Sequence, residues 1–362
     1  MTTILLLGGY GTTGKSLARH LLAQTDAGII LAGRKIEKAE AQAAALGGGR
    51  VTAREVDAAE GGLLKNALQD VDLCLVAAPT THHTELVIRS CLETETDYLD
   101  IQFSKHKLEA LQRAKADICR AGLCFVTEAG YHPGLPSAMV RHAASRMDSI
   151  VSAVTAGYLN IGPGAPYTEA VDELMEAFID FDASVFKDGN WTAPKKWEMV
   201  NFDFGEGIGK RLCYSMFFEE LRCLPERLPG LQNTGFYISG SNWIADLFIT
   251  PIVMLGLKLA PKRGLRPLGR LMWWGMQQSR PPFEVRIAVE AQGLKNGLPV
   301  TVRVSVSHPD GYELTAIPVV AFLKQYMYGS ARQPGLHMMG HLGEPVRLLE
   351  DMAAMGAEIR RD

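Results

Sequence analysis

The 362-residue chain has no C-x-x-C pair, no run of twenty apolar residues and no excess of either charge, and each lack removes a class of protein. Its six cysteines (Cys74, Cys91, Cys119, Cys124, Cys213, Cys223) fall mostly in apolar runs without metal-ligand spacing. They therefore read as buried free thiols of a reducing compartment, and no metal site is expected. With 37 Lys and Arg against 40 Asp and Glu, the formal net charge of −3 provides no basic field to displace counterions from phosphates, so no nucleic-acid partner is implied. The strongest apolar tract, residues 243–260, contains Asp246 and Pro251 and is shorter than the ~20 apolar residues of a spanning helix. At the N-terminus neither a basic segment nor a small-residue cleavage site precedes the first apolar run, and the expectation is a cytoplasmic protein.

A hydrophobic fraction of 47%, with 36 glycines and 18 prolines, describes a chain that folds throughout. Single cores stop growing near about 250 residues, so two domains are expected. Apolar runs at 4–8, 29–33, 51–57, 72–79, 98–101 and 123–128 alternate with helical spacing at 16–24, 36–46, 82–92 and 105–121. This alternation predicts an α/β fold: a Rossmann-type, doubly wound, six-stranded parallel sheet. After Pro133 the pattern changes, and VRIAVEAQG and VTVRVSVSH alternate about Asn296-Gly297, the mark of a β-hairpin. The expected division is a dinucleotide-binding domain over 1–130, a second α+β domain with an antiparallel or mixed sheet over 131–330 that takes the substrate and dimerises, and a C-terminal helix within 331–362 that returns to the first.

Gly9-Tyr10-Gly11-Thr12-Thr13-Gly14 fits G-x-G-x-x-G between a strand and a helix, where glycines let a pyrophosphate approach helix N–H groups. Gly9, Gly14, Lys15 and Ser16 also fit G-x-x-x-x-G-K-[ST], the phosphate loop of Mg²⁺-dependent phosphotransferases. That chemistry needs a second acid at a strand end, and the candidate strand at 73–78 ends in Ala78-Pro79. Arg34, twenty residues beyond Gly14, stands where an NAD site places its ribose-binding acid. With Lys35 it suits a 2′-phosphate, so the expected cofactor is NADP(H). Asp57 is placed to border the adenine, and Ala78 and Pro79 to line the cofactor. The bland reading of Arg34 and Lys35 is two solvated residues opening a helix.

These features resemble the saccharopine dehydrogenase and reductase family: GGYGTTG, the strand ending Ala-Gly-Arg, Pro79-Thr80-Thr81-His82-His83, Thr96-Asp97-Tyr98-Leu99-Asp100, and Glu128-Ala129-Gly130-Tyr131-His132-Pro133-Gly134, similar to the family's E-x-G-x-D-P-G. The resemblance implies an NADPH-dependent reductase of imines or related bonds. Two departures mark this chain: His132 replaces an aspartate thought to act as acid or base, and Phe103 replaces a tyrosine. The candidate catalytic residues are His132, His83 and Tyr131, the bland reading of His132 being a structural role at the domain junction. From about residue 150 onward the likeness is to a substrate-uncharacterised subfamily, through Asn242-Trp243 and Ser307-His308-Pro309-Asp310-Gly311.

No Tyr-x-x-x-Lys occurs, so the proton relay of short-chain dehydrogenases is missing. His337 and His341, four apart, would share a face if helical. Glu169, Asp172, Glu173, Glu176 and Asp180 form an acidic helical stripe able to attract a cationic substrate, or simply a wet face. The apolar tract over 243–260, with Lys258, Lys262, Arg263, Arg266 and Arg270 and then Trp273-Trp274 after it, suits a membrane interface, a dimer face, a substrate lid or core. The reading that follows is an NADPH-dependent reductase of an imine, carbonyl or enoyl group on a small or lipid-like molecule, expected as a homodimer; for 243–274 core packing, a dimer face or a lid is favoured over peripheral membrane contact. The alternatives are a non-catalytic NADP(H)-binding adaptor and the phosphotransferase.

Overall fold

The computed structural model describes residues 1–362 apart from Asp180; the side chains of Glu169, Ala170, Glu173, Ala177 and Lys262 are likewise outside the description. The chain divides into two units, one made of Met1–Leu135 with Tyr312–Met355 and the other of Pro136–Gly311 with Gly356–Asp362.

The first unit opens with β1 (Thr3–Leu7), α1 (Thr12–Gln24), β2 (Gly28–Gly33), α2 (Ile36–Leu46), β3 (Val51–Glu55), α3 (Gly61–Ala67), β4 (Leu73–Val76), α4 (Thr84–Glu93), β5 (Asp97–Asp100), α5 (Lys105–Ala121) and β6 (Cys124–Thr127). The strands β1, β2, β4 and β6 are almost wholly buried, as continuous apolar runs must be when helices cover both faces of a parallel sheet. Helix α1 turns Leu17, Ala18 and Leu21 inward. Helix α5 starts where Ser104 accepts from Lys107 N and stops at Gly122, whose φ of +69° only glycine adopts readily.

The second unit begins with α6 (Leu135–Ala144), β7 (Ser149–Leu159), α7 (Glu169–Ile179), β8 (Phe186–Lys187), β9 (Asn190–Trp191), β10 (Met199–Asp203), β11 (Lys210–Met216), α8 (Leu224–Arg227) and β12 (Asn233–Ser239). A π-helical turn (Ala245–Ile249) leads into α9 (Thr250–Leu259) and α10 (Pro261–Met276), and β13 (Val285–Lys295) and β14 (Leu298–His308) follow. The chain then supplies α11 (Gly311–Met327), β15 (Gly335–Met338), α12 (Met339–Leu342), α13 (Pro345–Ala354) and β16 (Glu358–Arg361).

The first sheet runs β15-β6-β5-β4-β1-β2-β3, and every recorded pairing in it is parallel. It has seven strands where the sequence pattern predicts six, because Gly335–Met338 joins the edge of β6. Four residues after a proline carry too little periodicity to mark a strand. The second sheet runs β10-β11-β12-β7-β13-β14-β16, with β7 parallel to β12 and antiparallel to β13. The predicted hairpin is present: β13 and β14 pair from Val285↔His308 to Lys295↔Leu298, and Asn296 and Gly297 turn with φ of +52° and +78°.

Six free cysteines are present, yet Cys119 is exposed and Cys223 half-buried, so burial holds for only four. His337 lies on strand β15 and His341 on the short α12, and the two do not share a helical face. The acidic stripe does fall on α7, although Asp180 and the side chains of Glu169 and Glu173 lie outside the described residues. Among the described residues no helix is long and apolar enough to cross a membrane.

Candidate active site

The carboxyl edge of the first sheet carries the predicted cofactor residues. Gly8 N donates to Ala32 O at 2.8 Å and Gly11 N to Gly8 O at 2.9 Å, closing the turn between β1 and α1. A Cβ at Gly14 would overlap Gly8 O, so glycine there lets helix and strand touch. Gly11, the N-cap of α1, has no side chain to offer its first turn, and the helix start stays open to an anion such as a pyrophosphate. A Cβ at Gly8 would lie 2.9 Å from Ala77 C and Ala78 N, which fixes the end of β4 against the same turn.

Tyr10 spans from this turn to the end of β2. Its ring fills the space beside Gly33, and its hydroxyl accepts from Lys35 N at 3.2 Å. Arg34 and Lys35 are exposed immediately beyond β2, so their charges face solvent. Val56 N donates to Gly33 O, which puts half-buried Asp57 next along the edge, its carboxylate accepting from Ala59 N. Thr12 is exposed and Thr13 half-buried at the start of α1. A groove of about 520 Å³ beside this turn is lined by Tyr10, Gly11, Thr12, Lys15 and Arg19 among others. At its border Glu313 of α11 accepts from Ser16 Oγ (2.5 Å), Arg19 (2.5 Å) and His20 (2.8 Å). Burial would raise the Glu313 carboxyl, but those donors outweigh it and hold the group below its ordinary value. The Ser16 hydroxyl that a phosphotransferase would give to Mg²⁺ is thus committed to a carboxylate.

The candidate catalytic residues sit on two loops of the same edge. His83 is half-buried and precedes α4, its N–H donating to Thr80 O at 2.8 Å. His132 and Tyr131 lie beyond β6, with rings stacked at 3.8 Å between centroids. Because β5 separates β4 from β6, His83 and His132 stand at strand ends two positions apart. The loop beyond β6 is tightly built: Glu128 takes a φ of +54°, Ala129 N donates to Asp100 O, and a Cβ at Gly134 would lie 2.6 Å from Gly130 O. Burial lowers His132 to about 4, so its imidazole is neutral at pH 7, and burial raises the Tyr131 phenol with Tyr312 adding to it.

Beneath this loop is a buried network that the sequence pattern does not show. Lys107 Nζ donates to Asp100 Oδ1 (2.8 Å), Gln102 O (2.6 Å) and Thr127 Oγ1 (2.7 Å). Asp100 also accepts from Tyr98 OH (2.9 Å) and Thr127 Oγ1 (2.7 Å), and Gln102 Nε2 donates to Ala78 O (2.6 Å). The ends of β4, β5 and β6 are locked together, which fixes the two loops relative to each other. In sequence Lys107 is one of several lysines on α5, and only the Asp100 side of the pair stood in a motif.

An open glycine turn at a helix start and an arginine just beyond the second strand, on the carboxyl edge of a parallel sheet, fit an NADP-binding Rossmann domain. Residues 4–126 match the family model described as Saccharopine dehydrogenase NADP binding domain. The chain is 24% identical over 397 residues to carboxynorspermidine synthase of Vibrio cholerae, covering 96% of this chain and 94% of that one. It is 24% identical over 249 residues to carboxyaminopropylagmatine dehydrogenase of Synechocystis, covering 65% and 62%. Apo saccharopine dehydrogenase (L-Glu forming) from Saccharomyces cerevisiae has the same fold, with a TM-score of 0.71, 14% identity and full coverage of both chains. The protein is an NADP-dependent oxidoreductase whose residues 4–126 are similar to the NADP-binding domain of saccharopine dehydrogenase.

Proposed function

We propose that the protein reduces a carbon–nitrogen double bond in a small amine of polyamine type, using NADPH. The observation that carries this reading is the match along nearly the whole chain to a relative whose name is that of a carboxylated polyamine synthase, joined to an NADP-binding domain. NADPH supplies the hydride. The open start of α1, with Gly9, Gly11, Thr12, Thr13 and Gly14, holds the pyrophosphate, and Arg34 and Lys35 hold the 2′-phosphate. Tyr10 and Asp57 border the adenosine, and Ala78 and Pro79 line the nicotinamide side.

In this reading an amine and a carbonyl compound condense with loss of water, and reduction of the resulting C=N bond leaves a secondary amine. Condensation needs the amine free of its extra proton. His132, kept neutral by burial, accepts a hydrogen bond from the uncharged amine and orients it, while the amine's extra proton leaves to solvent. Tyr131 holds the imidazole by stacking, and His83 offers a second polar contact.

The test is NADPH consumption with a panel of diamines, each mixed with carboxylate-bearing aldehydes, and mass spectrometry of the product. A secondary amine carrying both partners supports the reading. Turnover of simple ketones or enoyl thioesters, with none for any amine–aldehyde pair, overturns it.

A further inference from the structure

The segment from Trp243 to Arg280 does not enter the proposed reaction, yet it carries the largest apolar exposure in the described chain. Helices α9 and α10 pack as a hairpin around Gly256 and Gly264, where added Cβ atoms would meet Leu268 at 2.6 and 2.9 Å. Val253, Leu257, Met272 and Met276 fill the inner seam together with Met175 of α7. Along the outer face of the π turn and α9, Leu247, Phe248, Ile252, Leu255 and Leu259 each expose over half their surface, from 54% at Ile252 to 76% at Leu259. Asn242 Nδ2 donates to Gly275 O at 2.8 Å, which brings Trp243 and Trp274, 67% and 53% exposed, to the same end of the hairpin.

The charges of the segment have one sign. Residues 243–280 hold Lys258, Lys262, Arg263, Arg266, Arg270 and Arg280 against a single acid, Asp246. Asp246 is half-buried and accepts from Ser241 N at 3.0 Å. Of the exposed arginines on α10, Arg266 leans toward Asp172 of neighbouring α7 at 3.5 Å, while Arg263 and Arg270 have no ion pair among the described residues. We propose that this hairpin is a docking surface for an anionic membrane surface, with α9 lying in the interfacial plane, its apolar face among the acyl chains, and Lys258 with the arginines of α10 at the headgroups. An apolar stripe, flanking cations and exposed tryptophans at one end are the physical requirements of in-plane binding. A second copy of the chain fits less well, because a two-fold interface built on this patch would set cations against cations.

The experiment is co-sedimentation of the full chain with vesicles of phosphatidylcholine alone and with added phosphatidylglycerol, at low and high salt. Sizing by light scattering runs alongside. Binding is expected for the anionic vesicles at low salt, with release by salt. Phe248→Glu with Leu255→Glu should weaken it by about tenfold or more, while Arg263→Glu with Arg270→Glu should remove the preference for the anionic lipid. Because these side chains are exposed, the variants should keep native NADPH affinity, which verifies folding. The proposal is overturned by absence of binding to anionic vesicles at low salt, by equal binding to both compositions, or by a dimer that the Phe248→Glu and Leu255→Glu pair dissociates.

Discussion

The phenol of Tyr10 occupies the space that any side chain at residue 33 would need: a Cβ on Gly33 would lie 2.6 Å from Tyr10 Cε1 and 2.7 Å from its hydroxyl oxygen. That hydroxyl also accepts from Lys35 N, so one side chain sets both the shape and the direction of the Gly33-Arg34-Lys35 corner. Tyr10→Phe leaves the ring and removes the acceptor. NADPH affinity should fall about three- to tenfold, the worth of one hydrogen bond, while NADH affinity changes less. Gly33→Ala should be harmful in the native protein and tolerated beside Tyr10→Ala, which empties the space. Titration of both nucleotides into the four proteins checks this, and equal losses for NADPH and NADH would remove the phosphate corner from the explanation.

Arg34 should carry much of the choice between the two nucleotides. Replacing it with Asp exchanges a charge-assisted contact, worth about 1.5–3 kcal/mol, for repulsion of the 2′-phosphate. The expected result is at least about a tenfold loss of NADPH affinity with NADH affinity kept or improved. Equal dissociation constants for the two nucleotides in the unmodified protein would contradict it.

His132 gives a pH signature with a fixed sign. Its folded value is lowered to about 4 from the ordinary 6.5, so below pH 6.5 the unfolded chain takes up a proton that the folded chain refuses. The stability attached to this group is therefore complete above 6.5 and is lost as the pH falls toward 4. Denaturant melts of the native protein and of His132→Asn across this range should converge at acid pH. Parallel curves would mean that the imidazole is not desolvated.

The same substitution reports on chemistry. With an accepted amine–aldehyde pair, His132→Asn should lower kcat by about 10²-fold or more while leaving NADPH affinity nearly unchanged. Unaltered turnover with an unaltered pH profile would make His132 structural and shift attention to His83 and Tyr131.

Lys107→Met removes one member of a fully buried ion pair and leaves Asp100 without its cation. Destabilisation of about 3–5 kcal/mol is expected, because the remaining charge keeps its desolvation penalty. Thermal melts measure it. A loss under about 1 kcal/mol would show that the ends of β4, β5 and β6 hold together without this lysine.

Much of the first unit was legible because its signals are local. A glycine turn between an apolar run and a helix, and Arg34 at a fixed offset from Gly14, require only short stretches of sequence. The hairpin at Asn296-Gly297 was legible for the same reason, since both residues accept positive φ. What escaped depends on partners far along the chain. Lys107 meets Thr127, Ser16 meets Glu313, and Gly335–Met338 finds β6 only in the folded molecule. Tyr10 was legible as a loop residue but not as the filler beside Gly33, because nothing in a motif says which way its ring turns.

One of the two edge strands of the nucleotide sheet, β15, comes from a part of the chain made long after its neighbour β6. On the ribosome β6 emerges with one edge bare and stays so while ~200 further residues, an entire intervening unit, are synthesised. A bare, apolar strand edge is adhesive, so this interval is the period in which nascent chains are open to mispairing and to capture by chaperones. A chain shortened after Leu135 would retain every loop assigned to the dinucleotide and still carry that edge permanently, and aggregation rather than loss of nucleotide contacts should be its first defect.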